Sequence, residues 1–91
     1  MPIAFEITIN GKVQGVFYRA STRDKATELG ISGWCMNLDN GGVLIHAEGE
    51  RVDLNALLLW CKVGPPKAKV DQVLHRETEL KNYSGFRIKR A

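Results

Sequence analysis

The run Gly11-Lys12-Val13-Gln14-Gly15-Val16-Phe17-Tyr18-Arg19 holds the residues of this chain best suited to chemistry. It leaves an alternating stretch and enters a helical one, so it joins a strand to a helix N-terminus. The first turn of a helix has backbone N–H groups without partners inside the helix. A glycine-bearing turn can curl such groups into a concave nest that holds an anion. Gly15 permits a conformation closed to other residues, which would let the amides of Val16, Phe17, Tyr18 and Arg19 converge on one point. Arg19 is electrostatically misplaced there, because a cation at the positive end of the helix dipole costs about 0.3–1 kcal/mol. An anion bound between the two reverses that sign, and a guanidinium can grip two phosphate oxygens at once. By residue type alone, Arg19 reads equally well as a solvated arginine that starts the helix. The glycine spacing matches neither the Walker nor the dinucleotide-binding pattern.

A second constellation, Gly33-Trp34-Cys35-Met36-Asn37, sits just before a turn. Asn37 is a poor strand former among Trp34, Cys35, Met36 and Leu38. Its amide carries a donor and an acceptor and could hold a water in a fixed orientation without changing charge. The alternative is a turn-associated asparagine bonded to its own backbone, and residue chemistry alone favours that alternative.

The elements that must position these residues follow from periodicity. Residues 3–10 alternate, with Ile3, Phe5, Ile7 and Ile9 on one side, as in a half-buried strand with one wet or lightly covered face. A helix is expected from about Tyr18 or Ser21 to Leu29, with Tyr18, Thr22, Ala26 and Leu29 as its stripe and Gly30 as its stop. Residues 31–38 return to strand. Asp39-Asn40-Gly41-Gly42 marks a hairpin, since Asn and Gly tolerate the positive φ of tight turns. Val43, Ile45 and Ala47 form the inward face of the partner strand. Residues 52–63 carry Leu54, Leu57, Leu58 and Cys61, with Val52, Ala56, Leu59 and Trp60 extending the stripe into a wide packing face. Gly64-Pro65-Pro66 ends that helix. Residues 69–76 and 86–89 read as two further strands, with Phe86 and Ile88 inward. The order is β-α-β-β-α-β with a short extra strand. The half-polar first strand argues for a mainly antiparallel sheet with both helices on one face, a ferredoxin-like two-layer α+β sandwich. That fold hosts many unrelated activities.

A chain of 91 residues has room for one domain spanning residues 1–91. No run of about 18 apolar residues exists, and residues 1–6 lack the basic-then-apolar order of a signal peptide, so a cytosolic protein is expected. Cys35 and Cys61 are too few for a disulfide scaffold, and in a reducing compartment they read as buried thiols. These two cysteines and the isolated His46 and His75 show no zinc-ligand spacing. The net charge of +3 favours a small anion or, weakly, any polyanion. Lys81, Arg87, Lys89 and Arg90 crowd the C-terminal stretch without a nearby acid and read as a solvated edge strand protected by charge. An RNA-recognition module on this fold needs aromatics exposed on a central strand. Residues 43–48 have none, so no nucleic-acid partner is expected.

With these residues set out, the chain resembles the acylphosphatase family. The run from Gly11 through Arg19 is similar to that family's first signature. Gly33-Trp34-Cys35-Met36-Asn37, then Gly41, Val43 and Gly49, is similar to its second. The similarity continues through Gly64-Pro65-Pro66, Ala68, Lys69 and Val70 to Phe86 and Ile88, and covers essentially the whole chain. The resemblance implies a hydrolase that splits the carboxyl–phosphate anhydride of a small-molecule acyl phosphate into a carboxylate and inorganic phosphate. It implies that Gly15, Val16, Phe17, Tyr18 and Arg19 form the phosphate-binding loop, that Arg19 grips the phosphate and that Asn37 positions the attacking water. It also implies no metal, no cofactor and a monomer, with inorganic phosphate or sulfate as a product-like ligand. The chain departs from the family pattern at Tyr18, where phenylalanine is more usual, and at Leu38, where threonine is common. Its tail, Ile88-Lys89-Arg90-Ala91, stands where an aromatic end is frequent. These departures bear on rate and stability rather than reaction class.

Overall fold

The alternation of residues 3–10 becomes a ten-residue strand, β1 (Ile3–Lys12), in a computed structural model that describes residues 1–90. Six elements follow: α1 (Tyr18–Glu28), β2 (Ser32–Asn37), β3 (Val43–Gly49), α2 (Arg51–Cys61), β4 (Lys69–Thr78) and β5 (Phe86–Ile88). The strands form one sheet in the order β4-β1-β3-β2-β5. Every neighbouring pair is antiparallel except β2 and β5, which run parallel with Cys35 opposite Ile88. This is the expected ferredoxin-like arrangement with its short extra strand. No described helix is long and apolar enough to cross a membrane.

Both helices pack on one face of the sheet. Tyr18, Thr22 and Ala26 of α1 and Leu54, Leu57, Leu58 and Cys61 of α2 meet Ile7, Ile9, Cys35, Val43, Ile45 and Ala47 in one core. Each leucine fully withdrawn from water there contributes about 1.5–3 kcal/mol. The apolar face of α2 is narrower than its sequence suggests. Val52 and Leu59 are 74% and 66% exposed, because the sheet covers only the Leu54–Leu57–Leu58–Cys61 side. The turn between β2 and β3 also differs in detail. Gly41 takes the positive φ, at 94°, whereas Asn40 does not and instead accepts the Gly42 N–H on its Oδ1 at 2.9 Å.

The opposite face of the sheet is not simply wet. His46 and Glu48, pointing away from the helices, are 7% and 3% exposed beneath residues 79–85. Glu48 Oε2 accepts from His46 Nε2 at 2.8 Å and from the Lys81 N–H at 2.6 Å, and Oε1 accepts from the Tyr83 N–H at 2.9 Å. The His46 ring lies between Trp34, stacked at 5.9 Å, and the edge-on Tyr83 at 5.3 Å. One carboxylate thus pins the segment leading into β5. The C-terminal cations are also less isolated than their crowding suggests, because Lys81 pairs with Glu79 at 2.7 Å.

Candidate active site

The loop between β1 and α1 is anchored by Val13 and Val16, both buried in the core. Between and after these anchors the backbone reverses hand. Gly15 has φ 73°, and Phe17 has φ 65° and ψ 23°, with Val16 between them outside the positive-φ region. Alternation of this kind turns successive N–H groups toward one point. Phe17 is the N-cap of α1 and supplies no side-chain cap. The helix's first backbone bond runs from the Ser21 N–H to the Phe17 carbonyl at 3.0 Å. The amides of residues 16–20 therefore donate to no group among the described residues. A bulky residue in the left-handed region costs about 1–2 kcal/mol. At Phe17 no burial compensates, since the ring is 77% exposed. Strain of this type concentrates at functional sites.

Four of these residues, Phe17, Tyr18, Arg19 and Ala20, line a cavity of about 270 Å³. Gln14, Gly15, Phe17 and Arg19 line it from the loop side, and Ile88 and Arg90 from the C-terminal side. Among the described residues, none that lines it is acidic. The cavity thus joins unpaired helix amides, two guanidinium-bearing residues and an apolar wall, a combination suited to an anion with an organic substituent.

Asn37 does not line this cavity but ends β2 beside it. By strand alternation it shares the helix-side face with Cys35, whose thiol lies 3.6 Å from the Arg19 carbonyl. Gln14, which does line the cavity, donates from Nε2 to the carbonyls of Leu38 and Gly42, each at 2.8 Å. The loop and the turn after Asn37 are therefore clamped together. Asn37 Oδ1 is buried and accepts from no group among the described residues, although buried polar atoms ordinarily find partners. It does not bond its own backbone, so the turn-associated alternative fails.

Tyr18 anchors the helix start. Its hydroxyl donates to the Cys61 carbonyl at 2.7 Å, and its ring packs 5.5 Å from that of Trp60. Burial, reinforced by the neighbouring Cys61, holds its phenol far above the ordinary range, so it stays protonated. Cys35 and Cys61 are free and buried. Burial pushes both thiols up to about 12, for Cys35 against the opposing pull of Arg19 and Arg23, so neither is a nucleophile near neutral pH. Among the described residues, no group of three or more His, Cys, Asp or Glu side chains is placed to hold a metal ion.

Of the residues singled out in the sequence, Gly15, Phe17, Tyr18 and Arg19 meet at one cavity, while the Val16 side chain turns into the core. Gln14, Ile88 and Arg90 were not singled out as site residues. Gln14 had no signal beyond lying inside the glycine loop. Ile88 and Arg90 are invisible without the parallel pairing of β5 with β2, which seats them beside the loop that carries Arg19.

A family model described as Acylphosphatase matches residues 5–88. An acylphosphatase from Marinobacter nauticus is 53% identical over 84 residues, covering 91% of each chain. The structure of an acylphosphatase from Coxiella burnetii superposes with a TM-score of 0.94 at 43% identity, covering 97% of this chain and 93% of that one. An acylphosphatase from Bacillus subtilis superposes with a TM-score of 0.93 at 32% identity, covering 98% and 99% of the two chains. With Gly15, Phe17, Tyr18 and Arg19 of the first signature lining one anion-suited cavity and these likenesses running the length of the fold, the chain belongs to the acylphosphatase family.

Proposed function

We propose that this acylphosphatase holds the phosphoryl group of its substrate with Arg19 and the amides of the residue 15–19 loop, and positions the attacking water with Asn37. The observation that carries the reading is the uncapped, left-handed start of α1, where Phe17, Tyr18, Arg19 and Ala20 have unpartnered amides and line one cavity. The chemistry asks for little more. The leaving group is a carboxylate with a pKa near 4–5, so it departs without a general acid. Phosphoryl transfer is loose, with little bonding to the nucleophile at the transition state, so a strong base adds little. What remains is stabilisation of charge and alignment of the water. Arg19 and the amides serve the first. The buried acceptor Oδ1 of Asn37, with its own amide donor, serves the second. The reading needs no metal and takes the enzyme to be a cytosolic monomer; two buried, unpaired cysteines suit a reducing compartment.

The test is hydrolysis of benzoyl phosphate in EDTA, with inorganic phosphate as a competitive inhibitor. Arg19→Ala is expected to weaken phosphate inhibition and to lose about 100-fold or more in kcat/KM, the range for removing a principal charge stabiliser. Asn37→Ala is expected to keep the phosphate inhibition constant and lose kcat. Loss of phosphate affinity in Asn37→Ala with turnover intact, or inactivation by EDTA, would contradict the assignment.

A further inference from the structure

We propose that Arg90 is a specificity-determining residue of this cavity, selecting acyl phosphates whose acyl group carries a second negative charge. The proposal rests on the reading of the cavity as the acyl phosphate site. Strand alternation at the C-terminal end separates its cations. Lys89 lies on the face away from the helices, with Nζ 4.4 Å from the centre of the Trp34 ring, and Arg87 borders the same depression beside Trp34 and Tyr83. Ile88 and Arg90 turn the other way and line the cavity with Arg19. The bond from the Lys89 N–H to the Cys35 carbonyl, at 2.8 Å, carries the β2–β5 pairing one residue past the strand and fixes this alternation up to Arg90.

Two guanidinium-bearing residues, Arg19 and Arg90, thus line one cavity, and among the described residues no acidic side chain lines it. Arg19 and the loop amides already match a single phosphoryl dianion, so Arg90 is surplus to that group. An acyl chain leaving the nest meets the exposed Phe17 ring and Ile88 as apolar walls, and Arg90 as the other positive charge. A carboxylate or phosphate at the far end of the acyl group is the substituent this arrangement favours.

The test compares kcat/KM for 4-carboxybenzoyl phosphate and benzoyl phosphate, which differ by one carboxylate, at constant ionic strength. In Arg90→Gln the ratio of the two is expected to fall about three- to tenfold, as for a charge-assisted contact at a partly exposed site. Lys89→Gln removes the same charge from the opposite face and is expected to leave the ratio at its wild-type value. An unchanged ratio in Arg90→Gln, or an equal fall in both variants, overturns the proposal. So does a uniform loss on both substrates with weaker phosphate inhibition, which would assign Arg90 to the phosphoryl group. A wild-type enzyme that hydrolyses neither compound would instead overturn the reading of the site itself.

Discussion

Replacing Glu48 by glutamine changes only a few atoms in a buried site, yet the structure gives it a large effect. The carboxylate, 3% exposed, accepts from His46 Nε2, the Lys81 N–H and the Tyr83 N–H. A glutamine keeps one oxygen. If that oxygen takes the place of Oε2, it retains His46 and Lys81, and its NH2 faces the Tyr83 N–H, donor against donor. One charge-assisted bond, worth about 1.5–3 kcal/mol, is then lost and the other two weaken. The expected total is about 2–4 kcal/mol, from a stability of about 5–14 kcal/mol at 0.05–0.15 kcal/mol per residue for 91 residues. Burial pushes the Glu48 carboxyl up, but the hydrogen bond from His46 and the Lys81 and Tyr83 amides outweigh it and hold it below its usual value of 4.5. A group depressed in the folded state stabilises above its unfolded pKa and loses that contribution as pH falls through the folded one. The wild-type advantage should therefore be full at pH 6–7 and shrink below about 4.5. Urea unfolding from pH 7 to pH 3, followed by fluorescence of Trp34 beside the cluster, measures both effects. A loss under about 0.5 kcal/mol at pH 7, or a gap that stays constant down to pH 3, would refute the assignment, since lost hydrogen bonds to a charged group exceed that value.

Tyr18→Phe removes the hydroxyl from the Cys61 carbonyl and leaves that buried acceptor unpaired, for an expected loss of about 1–2 kcal/mol and a fall of several degrees in Tm. An unchanged Tm would show that this bond contributes nothing. Gly15→Ala meets no atom within 4 Å, so its penalty is backbone strain alone, about 1–2 kcal/mol at φ 73°, partly offset by lower entropy in the unfolded chain. It should fold, with inorganic phosphate inhibiting at least about tenfold more weakly, since loss of a good charge-assisted contact is worth about that factor. Gly33→Ala should lose considerably more stability, because a Cβ there would overlap the His46 carbonyl oxygen. Equal urea midpoints for the two glycine variants would count against the backbone described here.

The layers of the fold were legible because each element obeys one period. β1 alternates, α1 buries the stripe of Tyr18, Thr22 and Ala26, and Gly30 ends its helix at φ 72°. The errors have physical causes. Val52 and Leu59 are apolar but lie off the arc that the sheet can cover. The burial of His46 and Glu48 depends on residues 79–85, a segment with no periodicity of its own that is held by side-chain acceptors. Within the site, Gly15 and Arg19 announced a turn and a charge, but the left-handed Phe17 did not announce itself, because nothing in a phenylalanine signals positive φ. Gln14 reads as an ordinary polar loop residue until Leu38 and Gly42 stand opposite it. Arg90 required knowledge of which way the last strand runs.

The parallel seating of β5 against β2 has a kinetic consequence. Cys35 and Ile88 are neighbours in space but far apart along the chain, and β1 is held on its other side by β4, with Arg76 gripping Glu6 from 70 positions away. Such distant pairings form slowly, because long loops must close before the contacts reward them. The cavity draws its walls from the β1–α1 loop and from Ile88 and Arg90, so an intermediate that has joined only β2 to β3 lacks the second wall. Recovery of catalysis during refolding should therefore lag the return of helical signal, making turnover a clock for the final step of assembly.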